Sequence, residues 1–273
     1  MKIKITLIVL LSFFLCSAQN DTIFLNNKKI VCSVNEITTD AVKFTYPNET
    51  LTNSIYKNTI QSISFSSGRI QKFNESTSYK SVDNVSDFDN VSITRVEGEI
   101  KGLFKLGEVS SKAVGTTVFS NQEQVKERAY KKLKIQASFQ NGNIIYLTDQ
   151  RTEGAKSGFY TSSKAETNLT GILYTTKLPN FNQFQKLIGN KKNFTAVIEN
   201  KLRNSSFGMD VKKISKDFEI QSIKNENSLI IITGKLKGVK KQSTFRVVSF
   251  TDTSFNIFYD GKRAEYNVKI NLN

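Results

Sequence analysis

The side chains of this chain that could do chemistry are lysines and carboxylates, because histidine is absent and there are only two cysteines, Cys16 and Cys32. Without imidazole, neither a His-based zinc site nor a Ser-His-Asp or Cys-His nucleophile can be assembled. Catalysis would have to run on carboxylates alone, as in glycosidases with their paired Asp or Glu. Asp149, Glu153, Asp252, Asp260 and Glu265 are the available groups. They fall in expected turns, where Asp serves the backbone, so no catalytic residue is assigned and the chain reads as a non-enzyme. Ser54-x-x-Lys57 has the spacing of penicillin-recognising enzymes, but it lies on an expected strand and no Ser-Asp-Asn or Lys-Thr-Gly accompanies it. Asp83, Asp87 and Asp89, with Asn84 and Asn90, offer oxygen ligands without the glycine and distal glutamate of a calcium loop. No metal and no cofactor is expected.

Binding remains. The chain carries 39 Lys and Arg against 24 Asp and Glu, a net charge of +15. That excess suits an anionic glycan such as lipopolysaccharide or a phospholipid surface. The densest clusters are Lys131-Lys132-x-Lys134, Lys191-Lys192 and Lys235-x-Lys237-x-x-Lys240-Lys241, and the seven lysines of the first and third are the candidate ligand-binding residues. They are too short and scattered for the continuous basic stripe of a nucleic-acid reader, so nucleic acid is not an expected partner. The aromatic series Phe245, Phe250, Phe255, Phe258 and Tyr259 could stack sugars, but its period of about two reads as core.

Residues 1–18 have the layout of a cleaved export signal: Lys2 and Lys4 supply the positive start, Ile5 to Leu15 the apolar run, and Cys16-Ser17-Ala18 the small residues before Gln19. The mature chain is therefore expected outside the cytoplasm, periplasmic or associated with an outer membrane. Leu15 stands where lipoprotein processing wants a small residue, so a lipid anchor on Cys16 is not expected. No later apolar run approaches 20 residues, so no membrane-spanning segment is expected in the mature chain. Cys32 falls in the alternating segment Ile30, Cys32, Val34 and reads as a small buried hydrophobe.

The elements that must position these groups are mostly strands. Alternation at Ile23 and Leu25, Ile30 to Val34, Val42 to Tyr46, Ile60 to Phe65 and Ile70 to Phe73 predicts a small SH3-like antiparallel barrel over residues 19–75. Polar residues 76–92 read as a linker. Over 93–177 the order is strand, helix, strand, strand, a βαββ unit. Its helix runs from Asn121 to Gln140 behind a Ser120 to Glu123 capping box, with Val125, Ala129, Leu133 and Ala137 on its apolar face. Residues 178–273 open on a short amphipathic segment (Phe181, Phe184, Leu187, Ile188). Six or seven alternating strands follow, an antiparallel barrel or sandwich. The fold class is thus α+β, mostly β.

Two resemblances bear on this reading. Asp21-x-Ile23-x-Leu25, Ile30-x-Cys32-x-Val34 and the closing Ile60-x-x-Ile63-x-Phe65-x-x-Gly68 resemble a small β module at the start of secreted Bacteroidetes proteins. That implies compartment and fold but no activity. Leu106-Gly107-Glu108-Val109-Ser110, the alanine-bearing helix, and Asn143-Ile144-Ile145-Tyr146-Leu147 are similar to the RcsF and YbjQ-type small envelope lipoprotein domains. The paired cysteines of RcsF have no counterpart at Ala113 or across 149–158. The resemblance implies the βαββ fold in an envelope setting. The expected function is a non-catalytic cell-envelope protein acting by protein or surface contacts, the alternative being a binding module for an anionic glycan or lipid headgroup.

Overall fold

The computed structural model describes residues 20–25, 29–73, 79–117, 119–157 and 162–272. The segment read as an export signal and residues 26–28 lie outside them. The chain forms two compact units, one within residues 1–77 and one within 78–273. It is mostly β with few helices, as the alternation requires.

The first unit contains β1 (Asp21–Leu25), β2 (Lys29–Ile37), β3 (Ala41–Thr45), β4 (Thr52–Tyr56), β5 (Ile60–Ser64) and β6 (Ile70–Lys72). They pair antiparallel in the order β4-β3-β2-β1-β5-β6. A six-stranded sheet with edges at β4 and β6 thus stands where a small SH3-like antiparallel barrel was expected. Thr52-Asn53-Ser54 hides β4 from a hydrophobicity count, yet Ile55 pairs with Val42 and reaches the same core. One face of the sheet gathers around Ile23, Ile30, Cys32, Val42, Phe44, Ile60 and Ile63. Asp21 fastens the unit by accepting the amides of Val34 (2.8 Å) and Ser66 (2.7 Å).

In the second unit, β7 (Ser92–Thr94), β8 (Phe104–Val114), β9 (Ile144–Glu153) and β12 (Glu166–Thr175) form a sheet of order β7-β9-β12-β8, with β7 parallel to β9. A hairpin of β10 (Lys156–Ser157) and β11 (Ser162–Ser163) intervenes. The strand before the helix is Phe104–Val114. The segment read as a linker buries Val82, Val85 and Val91 and carries a 3-10 helix over Val85–Asn90. Its isolated valines show no period, because each packs singly against a neighbouring surface.

Helix α1 (Gln122–Phe139) covers one sheet face through Val125, Ala129, Leu133 and Ala137, all buried as their four-residue spacing predicts. The cap lies one residue later than expected. Asn121 accepts the amides of Glu123 and Gln124, while the Ser120 hydroxyl accepts Thr117 N–H in the loop. Asn141 adopts the left-handed conformation at the helix end (φ 58°). Gly142 is needed for space, since a Cβ there would stand 2.4 Å from Leu173.

The rest is a closed six-stranded antiparallel barrel: β13 (Asn193–Arg203), β14 (Asp210–Glu226), β15 (Leu229–Leu236), β16 (Thr244–Phe250), β17 (Ser254–Gly261) and β18 (Ala264–Asn271). This settles barrel against sandwich. Its lumen is filled by Phe194, Phe218, Phe245, Phe255 and aliphatic neighbours. Helix α2 (Phe181–Ile188), capped by Asn180, plugs one end with Phe184 and Ile188. The β17–β18 turn is Lys262-Arg263, two residues beyond the expected Asp260-Gly261. Gly261 stays in the strand, where a Cβ would press on the Tyr266 ring at 2.9 Å.

Candidate functional site

Strand directions fix which loops share a barrel end. Because α2 and the turns β14–β15 and β16–β17 occupy one end, the loop 204–209, the loop 237–243 and the Lys262-Arg263 turn gather at the other. That open end is the candidate site.

Alternation directs its side chains. In β14 the lumen-facing set is Lys212, Ile214, Lys216, Phe218 and Ile220, of which Ile214, Phe218 and Ile220 join the core. Lys212 and Lys216 therefore continue the apolar stripe upward into the mouth. Lys216 pairs with Glu199 of β13 at 2.8 Å, both partly buried. Lys201, two residues on from Glu199, places its ammonium 5.5 Å from the Tyr266 ring centre. Tyr266 in turn stacks on Tyr259, centroids 4.8 Å apart and rings within 7° of parallel. Below them the Tyr259 ring meets Phe245 edge-on at 5.4 Å, the top of the hydrocarbon core. Burial, then the nearby Glu199 and Tyr266, push the Tyr259 hydroxyl well above the usual phenol range. A Tyr held protonated is a hydrogen-bond donor, not a base.

The mouth is thus a two-tyrosine floor under Lys201, Lys212 and Lys216, with Glu199 and Asp210, the cross-strand partners of Lys212 and Lys201, as carboxylates among them. Such an arrangement offers charge and hydrogen-bond donors to an anion. Its depth is limited, because Phe245, Phe255 and Phe218 lie directly beneath, fully or nearly fully buried.

The sequence-derived lysines divide. Lys235 is the last residue but one of β15, and Lys237, Lys240 and Lys241 lie on the loop at this mouth, with Lys237 bonded to Asp217 at 3.0 Å. Lys131 and Lys134 face away into a groove of about 410 Å³ beside the 3-10 helix. There Lys131 sits 5.7 Å from the Phe88 ring centre and Lys134 reaches the Asp89 carbonyl at 3.4 Å. Glu123 and Glu127 share that groove, so its charge is mixed. Lys132, expected on an exposed helix face, is 7% exposed. Its ammonium donates to the Asn204 carbonyl, and burial lowers its pKa. The two lysine sets therefore do not form one patch. Helix α1 lies along β18, and β15 is three strands away in the ring of six.

Of the carboxylates considered, Asp260 and Glu265 are cross-strand partners on the outside of the barrel, with Glu265 under α1. Asp149, Glu153 and Asp252 stay on exposed strand or turn positions. Asp87 caps the 3-10 helix by accepting the Asn84 amide at 2.9 Å. Ser54 lies on β4, opposite Lys43.

Sequence reasoning missed Glu199, Lys201, Lys212, Lys216 and Tyr266. A signal was present: Lys212-x-Ile214-x-Lys216-x-Phe218-x-Ile220 puts lysines on the apolar face of a strand, where a solubilising lysine has no reason to be. Compared with family models, curated proteins and solved structures, the chain matches none.

Proposed function

We propose that this chain is an exported, non-catalytic envelope protein whose C-terminal barrel binds an anionic ligand, a glycan or headgroup bearing phosphate or carboxylate, at its open mouth. The observation that carries the reading is the set of lumen-facing lysines, Lys201, Lys212 and Lys216, above the Tyr259–Tyr266 stack. The filled lumen leaves no channel for an acyl chain, so contact is with the polar part of a ligand alone. The test is titration calorimetry with a sulfated or phosphorylated oligosaccharide over a salt series. Affinity should fall steeply as salt rises. Lys201→Ala with Lys212→Ala should lower it roughly tenfold or more, since a charge-assisted hydrogen bond is worth about 1.5–3 kcal/mol. A flat salt response, or unaltered binding by the double variant, removes the reading. Export is tested separately by N-terminal sequencing of the secreted protein, which should begin at Gln19.

A second reading, protein contact, is favoured by the first unit. Its outward sheet face sets Val31, Thr22, Ser64 and Ile70 in one row with Phe24 beside them, and Phe24, Val31 and Ile70 stay exposed. Ile70→Ser with Val31→Ser should then abolish capture of an envelope partner without lowering the melting temperature.

A further inference from the structure

Where α1 crosses the outside of the barrel, Gln136 Nε2 donates to Glu265 Oε1 at 2.5 Å. The other oxygens of the two groups, Gln136 Oε1 and Glu265 Oε2, are buried and have no partner among the described residues. Two lone acceptors enclosed together are costly, because neither can satisfy the other and water does not reach them. One hydrogen between them removes both defects. A proton on Glu265 Oε2 turns that oxygen into a donor to Gln136 Oε1, and acid and amide then bridge each other through two parallel hydrogen bonds.

We propose that Glu265 is a carboxylic acid in the folded protein and that the Glu265–Gln136 pair is a proton-dependent latch holding α1 to the barrel. The surrounding charges fit. On α1, Lys132 lies one turn before Gln136, but its ammonium is spent on the Asn204 carbonyl and no ion pair joins it to Glu265. On β17, Asp260 stands directly across from Glu265 and disfavours a second negative charge. On β13, the partner across the ladder is Leu202, and the adjacent Arg203 pairs with Asp210 at 3.2 Å. Burial is the largest influence on Glu265 and raises its pKa from 4.5. The Gln136 hydrogen bond opposes it, Asp260 adds to it, and the Lys132 charge opposes it. The latch sits among firmer attachments, since Asn267 donates to the Phe139 carbonyl at 2.8 Å and Arg246 to Gln140 at 2.6 Å. Loss of the proton therefore loosens one point of a joint and does not release the helix outright.

The sign follows from a folded-state pKa above the unfolded one. The latch contributes fully below the unfolded carboxylate value and is lost as pH rises through the folded value. The absence of histidine leaves roughly pH 5 to 8 free of imidazole titration. In urea unfolding of the whole protein, the folding constant should fall as pH rises above the unfolded carboxylate value, by at most about tenfold per pH unit for one proton. Glu265→Gln replaces the acid O–H by a permanent N–H donor, so that variant should lose the dependence while staying folded. Identical pH profiles for the two proteins would overturn the proposal. Independently of any variant, the Glu265 side-chain carbon should titrate above 4.5 by carbon-detected NMR, and titration at or below that value would overturn it too.

Discussion

Cys32 and Lys132 show how far a single residue can be read from its neighbours in sequence. Cys32 alternates with Ile30 and Val34, and it is fully buried, with burial and then Asp21 raising its thiol to about 11. Because the thiolate is the reactive form, folded protein should resist iodoacetamide at about pH 8, and unfolded protein should react. Alkylation of native protein at the free-thiol rate would contradict the burial. Lys132 sits among Lys131 and Lys134 and looks like them in sequence. What distinguishes it is the loop at Asn204, 72 positions away, which no local pattern announces. Lys132→Ala strands that carbonyl and removes a packed stem, so it should cost about 1–3 kcal/mol in denaturant unfolding. Lys134→Ala, on the exposed side, should stay within about 0.5 kcal/mol.

Among the elements, α1 was the most legible, since its buried stripe recurs every four residues from Val125 to Ala137. Leu133→Ala should destabilise the second unit by roughly 2–5 kcal/mol, measured by urea unfolding. The strands were legible wherever both turn residues and alternation were present. They were blurred where pairing alone decided the matter, as in β4, or where a turn residue served packing, as Gly261 does for Tyr266. Gly234 is a related case. It lies where β14 and β15 approach at an irregular register, and a Cβ there would stand 2.2 Å from the Glu219 carbonyl oxygen. Backbone cannot swing aside as a side chain can. Gly234→Ala should therefore lower the barrel's melting temperature by several degrees, corresponding to about 1–3 kcal/mol of overpacking. The mouth was only half legible: its loop lysines form a run in sequence, whereas Lys201, Lys212 and Lys216 come together through cross-strand register.

For the whole molecule, the small sheet of 93–177 and the barrel of 178–273 were expected as separate domains, yet they fall within one compact unit. Buried contacts join them: Ile135 and Phe139 of α1 pack with Leu202, Phe258 and Met209 of the barrel. Such contacts are invisible to a reading that closes each core on its own segment. Scanning calorimetry should accordingly show residues 78–273 melting in one transition, with no separate step for the sheet.

Strand β18 joins β13 to β17 and so closes the ring, and it also carries Glu265 and Asn267, which hold α1. Both the barrel and its attached helix thus wait on a strand about 70 residues after the one it must meet, a long-range closure of the kind that folds slowly. Until β18 arrives, β13 and β17 each present an open edge, and Gln136 and the Phe139 carbonyl of α1 lack their partners. On the proposed export route, a chain threaded N-terminus first through a pore would keep its barrel open until β18 had passed. The order of the strands thereby sets a clock, in which the barrel hardens only once its last strand is in place.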